Sequence, residues 1–205
     1  MKVLIEIVHP ADVLFYRRPI EMFQARGDKV RVISRHKDVA CDLLDEFGIP
    51  HRPISRAGRG TVGLARELLR RETALMGEVR RFRPQVMLGF GGVAISHVGR
   101  LMRVPTAVHY DSENATMQTR LAWPFVDSLT VPEAYTGVTP EARTRRLAGI
   151  KELSFFAPSA FRPDRQRALA AGLDPARANI VMRLVEWRAN HDIGKAGWSD
   201  AEAEA

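Results

Sequence analysis

A chain of 205 residues, 45% hydrophobic and with a mean hydropathy of -0.18, is long enough for one large domain or for one domain and part of another, and its longest apolar runs are strand-sized rather than membrane-spanning. The lone Cys41 excludes an internal disulfide and any cysteine-based metal cluster, so a cytoplasmic protein is the expectation. The formal charge of +7, mostly arginine, suits nucleic acid, an anionic membrane surface or phosphorylated small molecules; with no helix-turn-helix, zinc-finger or aromatic RNA-stacking signature, nucleic acid is not an expected partner.

From Lys2 to Val8 the chain is apolar except for Glu6, as a central parallel strand should be, and this fold-like start argues against a signal peptide. After His9-Pro10, residues 12–26 read as a helix that starts near Pro19 or kinks there, because proline cannot donate an N–H. Gly27-Asp28 ends it and Val30 to Ile33 is a second strand. Residues 38–47 carry Val39, Leu43, Leu44 and Phe47 at helical spacing, with Gly48 as the C-terminal stop. His51 to Ile54 is a third strand, and the loop S-R-A-G-R-G leads into a long helix over 61–82. Its stripe of Leu64, Leu68, Leu75, Val79 and Phe82 faces inward, and Arg66, Arg70, Arg80 and Arg81 fall on other faces. Such a helix can lie on a membrane surface; a solvated charged face is the simpler reading.

Residues 85–115 are the stretch richest in chemistry. Val86 to Leu88 is a strand, Gly89, Gly91 and Gly92 mark a turn, Val93 to Met102 is a helix, and Thr106 to His109 is a strand ending in a polar cluster, His109, Asp111, Ser112, Glu113 and Asn114. A strand, helix and strand joined this closely form a βαβ unit with parallel strands, whose ligands sit beyond the strands' carboxyl ends. The glycines allow a sharp turn with backbone N–H groups turned outward, fit to hold a phosphate or a sugar hydroxyl. G-F-G-G is neither a dinucleotide fingerprint nor a P-loop, however, and tight strand-to-helix packing explains it equally well. Residues 117–124 are helix or loop, and Ser128 to Val131 is a strand running into V-P-E-A-Y. The alternation predicts an α/β, doubly wound parallel domain over 1–135. Residues 136–178 read as a linker with a short docking segment, and 179–205 as the remnant of a second domain: a strand over 179–187, a loop with His191 and Asp192, and a capping box of Ser199 and Glu202.

The motifs are recognisable together. G-F-G-G-V-A-I-S at 89–96, V-P-T-A-V-H-Y-D-S-E-N-A at 104–115 and T-R-L-A at 119–122 resemble the N-terminal domain of the peptidoglycan N-acetylglucosaminyltransferases. More closely, H-P-A-D-V-x-F-x-R-x-P at 9–19, S-R-x-K-D at 34–38, Y-D-S-E-N at 110–114, P-E-x-Y at 132–135, G-x-x-E-L at 149–153 and R-L-V-x-W-x-A-x-H-D at 183–192 resemble the domain-of-unknown-function 354 family. The resemblance implies a GT-B-like fold, two Rossmann-like domains facing across a cleft, as in glycosyltransferases and UDP-N-acetylglucosamine 2-epimerases. It implies that this chain is the acceptor- or sugar-side domain with an incomplete C-terminal segment, that a UDP-sugar is the expected substrate class, and that no cofactor or metal is required.

Site residues follow from strand ends. His9 is a candidate general base, since imidazole titrates near neutrality; a structural hydrogen bond is the competing role. Asp111, Ser112, Glu113 and Asn114 can bind sugar hydroxyls, with Glu113 a candidate for proton transfer; capping the next helix competes. Glu133 and Tyr135 end the last strand at the same edge, and a buried carboxylate there needs a partner, which favours binding. Gly91 and Gly92 line the turn, Arg17 can meet a phosphate, and His191 and Asp192 mark the nucleotide side. Expected partners are a sugar or nucleotide sugar, a separate C-terminal-domain chain or a second copy, and a peripheral membrane surface. The competing class is a non-catalytic sugar- or partner-binding module that lacks the nucleotide-binding domain.

Overall fold

Seven parallel strands in the order β3-β2-β1-β4-β5-β6-β7 make the sheet. They are β1 (Lys2–Ile7), β2 (Lys29–His36), β3 (His51–Arg56), β4 (Val86–Phe90), β5 (Thr106–His109), β6 (Ser128–Pro132) and β7 (Thr144–Leu147). The helices between them are α1 (Pro10–Ala25), α2 (Ala40–Glu46), α3 (Gly60–Phe82), α4 (Val93–Met102) and α5 (Thr116–Ala122), followed by α6 (Leu153–Phe156) and α7 (Arg165–Ala170). The structure is a computed structural model and describes residues 1–56, 58 and 60–180. All but the first two residues of the strand expected at 179–187 lie outside these, as do His191, Asp192 and the Ser199–Glu202 box; Asn179 and Ile180 are not in a strand.

Strand β1 explains the layering. Val3, Ile5 and Ile7 point to one face, where they pack with Val13, Tyr16 and Ile20 of α1 and with Ala40 and Leu44 of α2. Leu4 points to the other, joining Ile33, Met87, Val108 and Leu129 beneath Leu75, Val79, Ile95, Val98 and Ala122 of α3, α4 and α5. A strand covered on both sides must be apolar on both sides, which is why its run is continuous. This is a doubly wound, Rossmann-like α/β fold. Among the described residues no helix is long and apolar enough to cross a membrane.

Three elements depart from expectation. Helix α1 starts at Pro10 and runs through Pro19, because His9 and Asp12 form a capping box and Pro10 occupies the first turn, where its missing N–H costs nothing. Helix α3 does not bury a purely apolar stripe: Glu67, Arg71 and Glu78 are buried beside Leu75 and Val79, while Leu69 is exposed. Strand β7 lies past residue 135, inside the stretch read as linker, and pairs with β6 from Leu129↔Thr144 to Pro132↔Leu147. Its T-R-R-L sequence is half-buried to exposed, as befits an edge strand, and carries no apolar alternation to reveal it.

The chain divides into two compact units, Met1–Ala157 and Pro158–Ala205. In the described part of the second, Asp164 caps α7 by accepting from the N–H groups of Gln166 and Arg167 at 2.9 and 3.1 Å.

Candidate functional site

The strand order reverses at β1, with β2 on one side and β4 on the other. Helix α1 leaves β1 over one face and α4 leaves β4 over the opposite face, so the two connections part and open a crevice at the carboxyl ends of β1 and β4. The loops after β5, β6 and β7 extend the same edge.

At the β1–α1 turn, Asp12 Oδ2 accepts from the N–H groups of Val8 and His9 at 3.0 and 2.9 Å. Burial pushes the Asp12 carboxyl up to about 7, against the pull of those two N–H groups. His9 Nδ1 accepts from the Ala11 N–H at 3.2 Å. That bond occupies the Nδ1 lone pair, so neutral His9 carries its proton on Nε2 and meets a ligand as a donor. Burial, with Lys37 adding to it, lowers the imidazole below its ordinary range.

The glycine turn between β4 and α4 is buried, with Gly91 at φ +72° and Gly92 at φ +53°. The Gly91 N–H is spent on the His109 carbonyl at 2.8 Å. A side chain at Gly92 would meet Val108 at 2.5 Å, and one at Gly91 would overlap the carboxamide of Gln118. Close packing accounts for both glycines.

Beyond β5, Tyr110 is 4% exposed, ringed by Phe90, Trp123 and Tyr135 at centroid distances of 6.2, 6.1 and 6.4 Å. Among the described residues its hydroxyl has no partner, and burial drives its pKa upward, with Tyr135, Asp111 and Glu113 adding to the effect. Asp111 holds Lys151 in an ion pair and accepts from the Ser112 hydroxyl at 2.9 Å. Lys151 also meets Glu152 at 3.0 Å and lies over the Phe90 ring at 5.6 Å. Glu113 is exposed and accepts one bond, from the Thr136 N–H at 3.2 Å. Asn114 is exposed beside it.

The structure therefore brings His9, Gly91, Gly92, Asp111, Ser112, Glu113 and Asn114 to one edge. Tyr135 also reaches that edge but is buried, and its carbonyl takes Arg146 at 2.7 Å. Two expectations need correction. Glu133 is exposed, so the cost of burying a carboxylate gives no argument for a bound partner there. Arg17 pairs with Glu21 at 3.3 Å and stacks over Phe47, the C-cap of α2, at 4.4 Å. Because α2 runs antiparallel to the strands, that end lies toward the edge opposite the site.

Other residues enter without having been assigned a role. His109 Nδ1 bonds the Tyr16 hydroxyl at 2.9 Å, and burial lowers the imidazole to about 4, so it is neutral. Its place at the end of β5 was visible in the sequence, whereas its partner on α1 was not. Asp12 was readable from the His-x-x-Asp spacing of a capping box. Lys151 reaches the edge from beyond β7, and no local pattern announces it. Two hollows lie elsewhere, one lined by His97, Arg100, Leu101 and Phe125, the other by Phe161, Arg162, Asp164 and Arg167 of the second unit.

The family model described as "Protein of unknown function (DUF354)" matches residues 1–153. Among curated proteins, the UDP-N-acetylglucosamine–N-acetylmuramyl-(pentapeptide) pyrophosphoryl-undecaprenol N-acetylglucosamine transferase of Solidesulfovibrio magneticus is 35% identical over 143 residues, covering 64% of this chain and 39% of that one. The transferase of the same name from Pseudomonas fluorescens is 29% identical over 136 residues, covering 62% and 38%. Among solved structures, the UDP-GlcNAc 2-epimerase of Neisseria meningitidis bound to UDP-GlcNAc superposes with a TM-score of 0.58 at 14% identity, over 76% of this chain and 48% of that one. MurG of Acinetobacter baumannii gives 0.52 at 16% identity, over 68% and 44%. At these identities the structural likeness shows the fold, a GT-B-like one. The chain spans less than half the length of each of these relatives.

Proposed function

This chain belongs to the DUF354 family of proteins of unknown function, and from that premise we propose that it supplies the acceptor- or sugar-side domain of a nucleotide-sugar-dependent glycosyltransferase or epimerase. The observation that carries the reading is the polar cluster Asp111–Asn114 after β5, on the same strand-end edge as His9, which stands where the strand order reverses. The relatives named for UDP-N-acetylglucosamine support a UDP-sugar as the substrate class.

The roles divide by how firmly each group is held. Asp111 is tied to Lys151 and Ser112, so it shapes the site. Among the described residues Glu113 has a single exposed contact, which leaves its carboxylate able to accept from a sugar hydroxyl or to take its proton. His9, in the tautomer its cap imposes, donates from Nε2 to a ligand oxygen. In glycosyl transfer, Glu113 would take the acceptor proton as that oxygen bonds the anomeric carbon, while the bond from that carbon to the diphosphate breaks. Donors for the departing diphosphate would come from the nucleotide side, to which His191, Asp192 and residues 179–205 would contribute as the start of a second domain. Residues 158–178 would connect to it, and a separate chain or a second copy would complete the cleft. The exposed Leu101 and Phe125, grouped with Arg100, suit contact with an anionic membrane surface in a cytoplasmic setting.

Calorimetric titration with UDP-N-acetylglucosamine and with UDP tests the reading. The expected result is saturable binding of the sugar nucleotide, weakened tenfold or more by Glu113→Ala and far less by Glu133→Ala. A well-folded chain that binds neither ligand sinks the proposal.

A further inference from the structure

We propose that Gln118 is a ligand-binding residue of the strand-end site, and that the glycine turn exists to seat it. The inference rests on the sugar-binding reading above and assigns the recognition of the neutral part of the ligand.

The glycine turn offers little by itself. Both glycines are buried, and the N–H of Gly91 is committed to the His109 carbonyl. What occupies the space where a Gly91 side chain would begin is the carboxamide of Gln118, delivered by α5, with the Tyr110 ring beside the same position. Among the described residues neither end of that amide makes a hydrogen bond, and neither is sealed away from water as the Tyr110 hydroxyl is. A carboxamide brings two donors and an acceptor. All three are unspent here, at the crevice, next to the loop that carries Asp111 to Asn114.

The chemistry of the group selects its ligand. A neutral carboxamide gives and accepts at once, so it pairs with vicinal hydroxyls or with an acetamido group, and it offers no charge to a diphosphate. Gly91 is then required for space: any side chain there displaces the Gln118 amide. The residue makes contact with the sugar, and the uridine diphosphate portion is indifferent to it.

Titration of the full chain with UDP-N-acetylglucosamine and with UDP, for wild type, Gln118→Ala, Gly91→Ala and the double variant, decides the matter. Losing one neutral hydrogen-bonding group should weaken sugar-nucleotide binding roughly three- to tenfold. Gly91→Ala should match that loss, the double variant should lose no more than either single one, and UDP binding should stay unchanged. Circular dichroism checks the fold of Gly91→Ala, whose backbone strain is independent of ligand; Gln118→Ala carries no such strain and stands alone if Gly91→Ala fails. If Gln118→Ala binds as wild type while Glu113→Ala does not, this assignment is wrong and the sugar-site reading survives. If wild type binds no UDP-N-acetylglucosamine, both fall together.

Discussion

Asp12 is the residue whose environment sets its behaviour most sharply. Its carboxyl titrates near 7 in the fold against an ordinary 3.8, because burial disfavours the charge more than two backbone N–H groups favour it. The folded state therefore prefers the neutral acid. Its full stability with respect to this group is present below about pH 4 and is lost progressively as pH rises to about 7, amounting to a few kcal/mol at most. Asn at this position keeps an oxygen for Val8 and His9 and carries no charge. Asp12→Asn is thus expected to raise unfolding free energy at pH 8 and to give no gain near pH 4, measured by urea denaturation at both values. This property was not legible in the sequence. His9-x-x-Asp12 announces a cap, but the depth of burial depends on how α1 lies against β1. Arg17 went astray for the same reason: its helix was legible, and the neighbour that draws it, Phe47, was not.

At the scale of elements, α3 meets the sheet through two ionic clusters of different kinds. Glu78, 1% exposed, accepts from Arg31, Arg52 and Arg81 at 3.0, 2.5 and 2.8 Å. Arg52 and Arg81 are largely exposed and Arg31 partly so, so removing the acid releases them to water. Glu67 accepts from Arg35 at 2.9 Å and Ser55 at 2.6 Å and lies 3.8 Å from Arg71, which itself faces Glu6 at 3.6 Å. Here the arginines are enclosed. Glu67→Ala should cost about 3–5 kcal/mol, the range for stripping a partner from a buried charge, and Glu78→Ala about 1–2 kcal/mol. Chemical denaturation of both variants compares them, and equal losses would refute the distinction. The period of Leu68, Leu75 and Val79 made the helix readable. Arg66, Arg70, Arg80 and Arg81, read as a solvated face, are exposed; the buried Glu67, Arg71 and Glu78 were not legible because their partners come from three different strands.

Across the whole molecule, alternation of strands with helices was enough to read six strands as parallel: five are central and advertise themselves by their apolar residues, and β3, an edge strand, is marked by the helices on either side of it. The seventh escaped because an edge strand need not be apolar. With it escaped the ion pair by which Lys151 crosses back to Asp111, although the short docking segment read within 136–178 contains α6, which packs on α1. A fragment ending at Ala157 is accordingly expected to unfold in a single cooperative transition, whereas one ending at Tyr135 should aggregate, its β6 edge bare and Asp111 without a counter-ion; calorimetry and light scattering of the two fragments give the comparison. The placement of β1 has another consequence, in the order of synthesis. Among the seven strands β1 is synthesised before the others yet lies inside the sheet, and one of its two neighbours, β4, pairs through contacts such as Val3↔Val86. Until β4 has emerged, this largely apolar strand has one side open, so the nascent chain depends on chaperones or on fast elongation through α3 to keep that side from finding another partner.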